Sequence, residues 1–228
     1  MTAMRQNIER FMWVSALKPS MEEAFVQELN EQREQLQISL QKQGVLVCSV
    51  FREGSYLFTY MEQEGEGRIG GSLWNEALTP MLQGWPVLAL DGGPAETYEM
   101  RMNDIFHDDC EVGDVPWRRP GYRAERRVGS LARLRPDLYS SYVFLHYQLQ
   151  EEKPRQFNKY YTIGSFGSYI FSYQELPAVV EPPRIGQIST KNSPINWGEV
   201  MEPHFEPWTE KLDAERLWCV LEELFHYE

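Results

Sequence analysis

The sequence is poor in cysteine, histidine and long apolar runs, and each shortage argues against a class of protein. The cysteines, Cys48, Cys110 and Cys219, are far apart and form no CxxC pair, so we expect core or surface thiols rather than a zinc cage or a disulfide framework. The histidines show no HxH or HExxH pattern, so no metal site is predicted. No apolar run approaches the roughly 20 residues that cross a bilayer, and no signal-peptide stretch is seen. We therefore expect a soluble, cytoplasmic protein.

Positive charge is also scarce, because 22 Lys and Arg face 34 Asp and Glu, which gives a net charge of −12. Such a surface repels phosphate backbones and anionic lipids, so we expect neither nucleic acid nor a membrane as a partner. The GxGxxG, P-loop and GxSxG motifs are absent, so nucleotide binding and triad hydrolysis have no support from the sequence. Core material is plentiful: 42% of the residues are hydrophobic, which predicts a folded chain.

Three short segments occur twice in the same order, which indicates an internal duplication. The pairs are residues 11–17 (FMWVSAL) with 127–134 (RVGSLARL), 54–60 (GSYLFTY) with 167–173 (GSYIFSY), and 103–109 (NDIFHDD) with 222–228 (EELFHYE). The first two pairs are typical of strands, one ending before a proline and the other following a glycine turn signal. We expect the third pair to be the closing strand of each half, with His107 and His226 as strand-end residues rather than metal ligands.

Apolar spacing predicts a helix after the first strand of each half. In the first half it covers residues 21–43 and ends at Gly44, a C-cap signal. In the second half it is shorter, because Pro154 stops it. Second helices are predicted over residues 71–83 and 196–212. The order strand, helix, strand, strand, helix, strand is the ferredoxin-like βαββαβ arrangement.

The predicted fold class is therefore α+β, with two tandem ferredoxin-like units. Residues 10–109 form the first unit, residues 110–125 a linker rich in glycine, proline and charge, and residues 126–228 the second unit. Two such units in one chain can pair their sheets internally. We therefore expect a pseudo-dimeric α/β barrel that needs no second chain, with larger homo-oligomers left open.

Basic residues concentrate in and after the linker, and this concentration has two interpretations. The first is a solvated linker followed by the polar face of a strand. The second is a site for an anionic ligand such as a uronate or a phosphate. The residues concerned are Arg118, Arg119, Arg123, Arg126, Arg127, Arg133 and Arg135.

Residues 126–146 resemble the beginning of the L-rhamnose mutarotase family. The match consists of a strand, the tripeptide Arg-Pro-Asp at residues 135–137, and a helix that carries Tyr142 and His146 at the Tyr-x-x-x-His spacing. Trp208 stands where the family has a tryptophan in its second helix, and the segment around Phe225 is similar to the family's final strand. The resemblance implies a ferredoxin-like fold that pairs into a dimeric α/β barrel, and a sugar mutarotase that uses no cofactor.

The two halves differ at the positions that carry this resemblance. Phe25 and Leu29 stand in the first half where the family has tyrosine and histidine. We therefore expect residues 10–109 to be a degenerate or supporting copy and residues 126–228 to be the active half.

Interconversion of sugar anomers needs an acid and a base, and histidine is suited to both roles because its unperturbed pKa lies near 6.5. Tyr142 and His146 lie four residues apart and share a helix face, so they are the predicted catalytic pair. The predicted substrate-binding residues are Trp208, which would stack on a pyranose, and Tyr173 and Tyr169, which would line the cavity from a strand. The expected ligand is a small molecule such as a monosaccharide.

Three functions remain open from the sequence. The first is a carbohydrate mutarotase or related isomerase. The second is a non-catalytic protein that binds a sugar or an acidic metabolite. The third, by analogy of fold alone, is a dimeric α/β-barrel monooxygenase or haem-binding protein. Tyr142 and His146 also have a purely structural interpretation, as residues of an ordinary amphipathic helix whose polar edges find hydrogen bonds in the core.

Overall fold

The computed structural model describes residues 8–64, 72–88, 94–108 and 117–228. The chain forms two compact units, each with antiparallel sheet packed against helix, so the protein is of the α+β class. Unit 1 comprises Met1–Met102 together with Glu222–Glu228, and unit 2 comprises Asn103–Leu221. Within the described residues, no helix is long and apolar enough to cross a membrane.

The N-terminal part of unit 1 begins with a strand, two consecutive helices and a hairpin. Its elements are β1 (Ile8–Ala16), α1 (Glu22–Glu31), α2 (Arg33–Lys42), β2 (Val45–Glu53), β3 (Tyr56–Glu64), β4 (Trp85–Leu88), β5 (Pro94–Thr97) and β6 (Met100–Arg101). The two helices cover the segment for which one helix is predicted. Gly44 follows them with a φ of 72°, the left-handed conformation expected of a C-terminal glycine.

Unit 2 repeats the strand, helix and hairpin after an initial strand of its own. Its elements are β7 (Asn103–His107), β8 (Arg126–Leu134), α3 (Tyr139–Glu152), β9 (Tyr161–Phe166), β10 (Tyr169–Leu176), α4 (Trp197–Met201), β11 (Phe205–Glu206) and β12 (Cys219–Val220). The last strand of the chain, β13 (Glu222–Tyr227), belongs to unit 1.

The two principal sheets have matching strand orders, and all pairings are antiparallel. In unit 1 the order is β13-β2-β3-β1-β6, and in unit 2 it is β7-β9-β10-β8, with β11 and β12 both paired to β8. In each sheet the first strand of the βαββ segment lies between its third strand and short later strands. This is the order expected of a ferredoxin-like unit.

The prediction of a second long helix in each half is wrong. Residue 71 lies outside the described residues, and from residue 72 onward the segment contains turns and a single 3₁₀ turn, Thr79–Met81. Residues 196–212 contain the five-residue α4 followed by a 3₁₀ turn, Glu202–His204. Proline lacks the N–H that would continue an α-helix, and each 3₁₀ turn has one in its first positions.

The strands predicted to close each half are both present, but each belongs to the other compact unit. β7 pairs with β9 in unit 2, and β13 pairs with β2 in unit 1. The compact units therefore differ from the predicted halves at these two strands. Residues 109–116, which include Cys110 and the first part of the predicted linker, lie outside the described residues.

The core of unit 2 fills the space between α3 and one face of its sheet. Its strand residues include Ala132, Ile163 and Ile170, and its helix residues include Tyr142 and Leu149. In unit 1 the corresponding space beneath α1 and α2 contains the predicted apolar stripe. The side chains on the helix-facing side of each sheet can therefore be compared between the two halves.

Candidate functional site

Tyr142 and His146 lie together between α3 and the sheet of unit 2. Their ring centroids are 4.1 Å apart, and both residues face the sheet, as their helical spacing predicts. Tyr142 is 1% exposed and His146 is 6% exposed. The pair is thus part of the core, and a ligand can approach it only where the core meets the surface.

Aromatic side chains enclose the imidazole of His146. The ring of Phe106 on β7 meets it edge to face at a centroid distance of 5.8 Å, and the ring of Trp197 does so at 5.0 Å. Trp197 begins α4 and is partly exposed. Trp197 therefore contacts both the imidazole and the solvent.

The hydrogen bond of His146 determines its tautomer. Nδ1 lies 2.9 Å from the main-chain oxygen of Tyr142. A carbonyl oxygen can only accept, so Nδ1 carries the proton and Nε2 has the free lone pair. Burial, together with the nearby His204, lowers the pKa of His146 to about 4. The ring is therefore neutral at neutral pH and presents Nε2 as a base.

Burial also shifts the pKa of the neighbouring Tyr142. It raises the pKa of the phenol, and the neighbouring Tyr161 adds to the shift. Tyr142 therefore keeps its proton and can serve as a hydrogen-bond donor. A neutral base and a neutral phenol stand side by side on one helix.

A second buried histidine, His204, completes the cluster. Its Nε2 lies 2.9 Å from the hydroxyl oxygen of Ser141, its Nδ1 lies 3.2 Å from the main-chain oxygen of Met201, and its ring is 6.1 Å from that of Tyr142. His204 was not predicted from the sequence because it is 58 residues from His146 in the numbering and belongs to no known pattern. The signal that could have found it is the repeated motif W-x-E-x-x-x-P at residues 74–80 and 197–203, which His204 follows.

The backbone shows which positions of unit 1 match this cluster. The N–H of Lys18 donates to the oxygen of Met81 at 2.8 Å, and the N–H of Arg135 donates to the oxygen of His204 at 2.8 Å. Leu17 pairs with Leu82 as Leu134 pairs with Phe205. The matching residues of units 1 and 2 are Phe25 and Tyr142, Leu29 and His146, Met81 and His204, Ala24 and Ser141, and Trp74 and Trp197.

Unit 1 is apolar wherever unit 2 has a polar group in this cluster. Phe25 and Leu29 are 0% and 1% exposed. Phe25 packs edge to face on Trp74 at a centroid distance of 5.3 Å. The fold can therefore fill this space with hydrocarbon alone, and in unit 2 it does not.

Tyr173, predicted to bind substrate, lies on the opposite face of the sheet from α3. It follows Ile170 by three residues along β10, and side chains alternate between the two faces of a strand. Its hydroxyl donates to Glu175 at 2.8 Å, and the same buried carboxylate accepts two hydrogen bonds from Arg118, at 2.6 and 2.8 Å. The structure therefore separates Tyr173 from Tyr142 and His146.

Trp208 and Tyr169, the other two predicted binding residues, are associated with Arg133. The guanidinium of Arg133 lies 4.2 Å from the ring centroid of Trp208, and Tyr169 is directly opposite Arg133 in the pairing of β10 with β8. Tyr169 is two strand steps before Phe171 and four before Tyr173, so it shares their face of the sheet. Of the five predicted residues, Tyr142 and His146 thus lie on one face of the sheet, and Tyr169 and Tyr173 lie on the other.

Four arginines of the basic segment, Arg118, Arg119, Arg133 and Arg135, have acidic or main-chain partners within unit 2. Besides Arg118, Arg119 pairs with Glu181 at 3.0 Å and Arg135 pairs with Asp137 at 2.8 Å. The bond from Arg119, with a further contribution from Lys159, lowers the pKa of Glu181 to about 2. These contacts favour a structural role for the segment over an anion site.

A cavity of about 240 Å³ opens one helical turn beyond His146. Gln150 and Glu151 of α3 form one side, and His107 and Asp108 form another. None of the predicted site residues lines it. Among the described residues, no three His, Cys, Asp or Glu side chains are placed to hold a metal ion.

Comparisons with known proteins give no family. No protein-family description matches the sequence, and no curated protein matches it. Among solved structures, a candidate monooxygenase from Fusobacterium nucleatum shares 10% identity at a TM-score of 0.37, over 98% of this chain and 95% of its own. An anthrone oxidase-like protein shares 10% identity at a TM-score of 0.34, over 100% of this chain and 95% of its own. At these levels of similarity, any function must be argued from the geometry of the site.

Proposed function

We propose that unit 2 catalyses proton transfer on a small ring-shaped substrate without a cofactor, with Nε2 of His146 as the base. The substrate we favour is a monosaccharide whose anomers interconvert, which makes the protein a mutarotase-like isomerase. The observation that carries the proposal is the contrast between the two units. Tyr142, His146 and His204 stand where unit 1 has Phe25, Leu29 and Met81.

The contrast between the two units matters because burying a polar side chain lowers the stability of a fold. A polar atom left without a hydrogen bond in a core costs about 1 to 3 kcal/mol. Nδ1 of the His146 ring is paired with the main-chain oxygen of Tyr142, whereas Nε2 has no partner among the described residues. Since Leu29 shows that leucine fits the same place, retention of the imidazole points to a role other than packing.

The proposed reaction follows from the protonation states. Nε2 of His146 removes the proton of the anomeric hydroxyl while the bond between the anomeric carbon and the ring oxygen breaks, and the ring oxygen takes a proton from Tyr142. The open aldehyde rotates and recloses on either face as the two protons return. Trp197 provides an aromatic face for the C–H groups of the sugar.

Exchange NMR on the anomeric protons of a panel of aldoses tests this proposal. We expect the protein to accelerate exchange for at least one sugar, and His146→Leu to reduce the acceleration by about 100-fold or more. Tyr142→Phe should also reduce it, whereas the control Tyr147→Phe alters an exposed tyrosine of the same helix and should not. No acceleration with any aldose, or full activity in His146→Leu, would contradict the assignment. Saturable sugar binding without acceleration would favour a non-catalytic binding protein.

A second candidate is oxygenation, and the apolar surroundings of the His146 ring favour it. Phe106 and Trp197 offer a polyhydroxylated sugar few hydrogen-bond partners but suit an aromatic ring. His146 would remove a proton from an acidic ring C–H, the resulting anion would combine with O₂ and regain the proton to give a hydroperoxide, and loss of water from the hydroperoxide would leave a ketone. Oxygen uptake with anthrone as the probe tests this reaction. Uptake that requires His146, with no effect on sugar exchange, would select oxygenation over mutarotation.

We also propose that the two units are tandem copies that pair as a pseudo-dimeric barrel. The matched segments and the matched strand orders support the duplication. One chain then suffices for assembly, so light scattering should give a mass near 26.8 kDa. A mass of twice this value would show that a second chain is used.

A further inference from the structure

Unit 2 contains a serine and a histidine that meet although 63 residues separate them. Ser141 is the third residue of α3 and is exposed, whereas His204 is buried. The hydroxyl oxygen of Ser141 lies 2.9 Å from Nε2 of His204. An accessible hydroxyl therefore stands in hydrogen-bond contact with an imidazole that faces it from the core.

The direction of this hydrogen bond follows from the other side of the ring. Nδ1 of His204 lies 3.2 Å from the main-chain oxygen of Met201, which can only accept. Nδ1 therefore carries the proton and Nε2 is the acceptor, so Ser141 donates its hydroxyl hydrogen to Nε2. This is the arrangement of an activated nucleophile. It consists of a hydroxyl, a base that accepts its proton, and a third group that orients the base.

We propose that Ser141 is a nucleophile activated by His204, and that unit 2 forms an acyl-serine with small activated esters. The Ser141 oxygen attacks the ester carbonyl carbon while its proton passes to Nε2 of His204. Collapse of the tetrahedral intermediate breaks the bond to the alcohol, which leaves with that proton. Water then attacks the acyl-serine and returns the enzyme and a carboxylic acid. This activity is separate from the proton transfer assigned to His146.

Two further observations support the pair as a unit. Unit 1 lacks both members, with Ala24 and Met81 at the matching positions. Ser141 also lies in the first turn of a 14-residue helix, whose positive end favours negative charge developing nearby. The orienting group is a neutral carbonyl rather than a carboxylate, so it stabilises the imidazolium less. We therefore expect slow turnover and a stable adduct.

Covalent labelling of the whole protein tests the proposal. A fluorophosphonate probe loses fluoride when the serine oxygen bonds to phosphorus, and p-nitrophenyl acetate releases p-nitrophenol when it acylates the serine. We expect one adduct, located by peptide mass mapping at Ser141. It should be absent in Ser141→Ala and unchanged in Ser140→Ala, a matched exposed serine one residue away.

The role of His204 is tested by the rate of labelling. His204→Gln should lower the rate by about 100-fold, the usual contribution of a placed base. Because His204 is buried, circular dichroism must show that this variant is folded. Labelling of the unaltered protein should also be slower in D₂O, a readout that needs no core substitution. Absence of an adduct at Ser141, an equal rate in folded His204→Gln, or an equal rate in D₂O would overturn the proposal.

Discussion

Replacement of His146 by leucine should change how the stability of unit 2 depends on pH. Burial lowers the pKa of His146 from 6.5 to about 4. Between these values the unfolded chain binds a proton that the folded unit does not bind, so the free energy of unfolding falls as the pH falls. Because a tenfold change in proton affinity corresponds to about 1.4 kcal/mol, this single group removes roughly 3 kcal/mol of stability between pH 6.5 and pH 4.

The leucine variant should fold, because Leu29 fills the matching place in unit 1. It loses one side-chain hydrogen bond, which contributes about 1 kcal/mol, and it places a hydrocarbon side chain rather than a polar ring in the core, which returns a similar amount. The oxygen of Tyr142 still accepts the helical N–H of residue 146. At neutral pH we therefore expect the variant and the wild type to agree within about 1 kcal/mol.

Urea unfolding at several pH values from neutral to about 4 measures the effect. The stability of the variant relative to the wild type should rise by roughly 3 kcal/mol across this range. Protonation of carboxylates lowers both proteins alike and cancels in the difference. Parallel curves for the two proteins would show that His146 is not held neutral by burial, and the argument for Nε2 as a base would fail.

Two pairs of substitutions, each with a test and a control, examine contacts that hold unit 2 together. Gly186→Ala places a Cβ 2.0 Å from a main-chain oxygen of α3 and should destabilise the protein by about 1 to 3 kcal/mol, whereas Gly198→Ala meets open space and should be neutral or stabilising in thermal unfolding. Arg118→Met leaves the buried carboxylate of Glu175 without its cation and should cost roughly 3 kcal/mol. Arg135→Met removes an exposed ion pair and should leave the unfolding midpoint unchanged. If the two glycine variants lowered the stability equally, or if the two arginine variants did so, the difference in surroundings between the two sites of that pair would be contradicted.

Local patterns were sufficient to predict much of the fold. The spacing of Phe25, Leu29, Leu36 and Leu40 predicts the first helical face, and all four side chains are buried. The glycine turn signals predict the hairpins that join β2 to β3 and β9 to β10. Hydrophobic spacing predicts long second helices because it gives too little weight to Pro80 and Pro203, which interrupt both segments.

The candidate site was only partly predictable, because its members come from distant segments. Helical spacing alone places Tyr142 beside His146. Trp197 and His204 join them through the pairing of β11 with β8, a contact between segments about 70 residues apart that no local pattern encodes. The structure places Tyr173 on the face of the sheet away from α3, and strand alternation from the apolar Ile170 is the local signal of that placement.

The position of β13 also affects the order in which the protein can be built during synthesis. Ser49 on β2 bonds His226 on β13 across 177 residues, so the edge of β2 lacks its partner until the ribosome has passed that point. Unit 2 is one continuous stretch, Asn103–Leu221, and all of its strands have been made before β13 begins. The unit that starts first is therefore completed last, and its nascent sheet carries an open edge that a chaperone, or a neighbouring nascent chain, could bind.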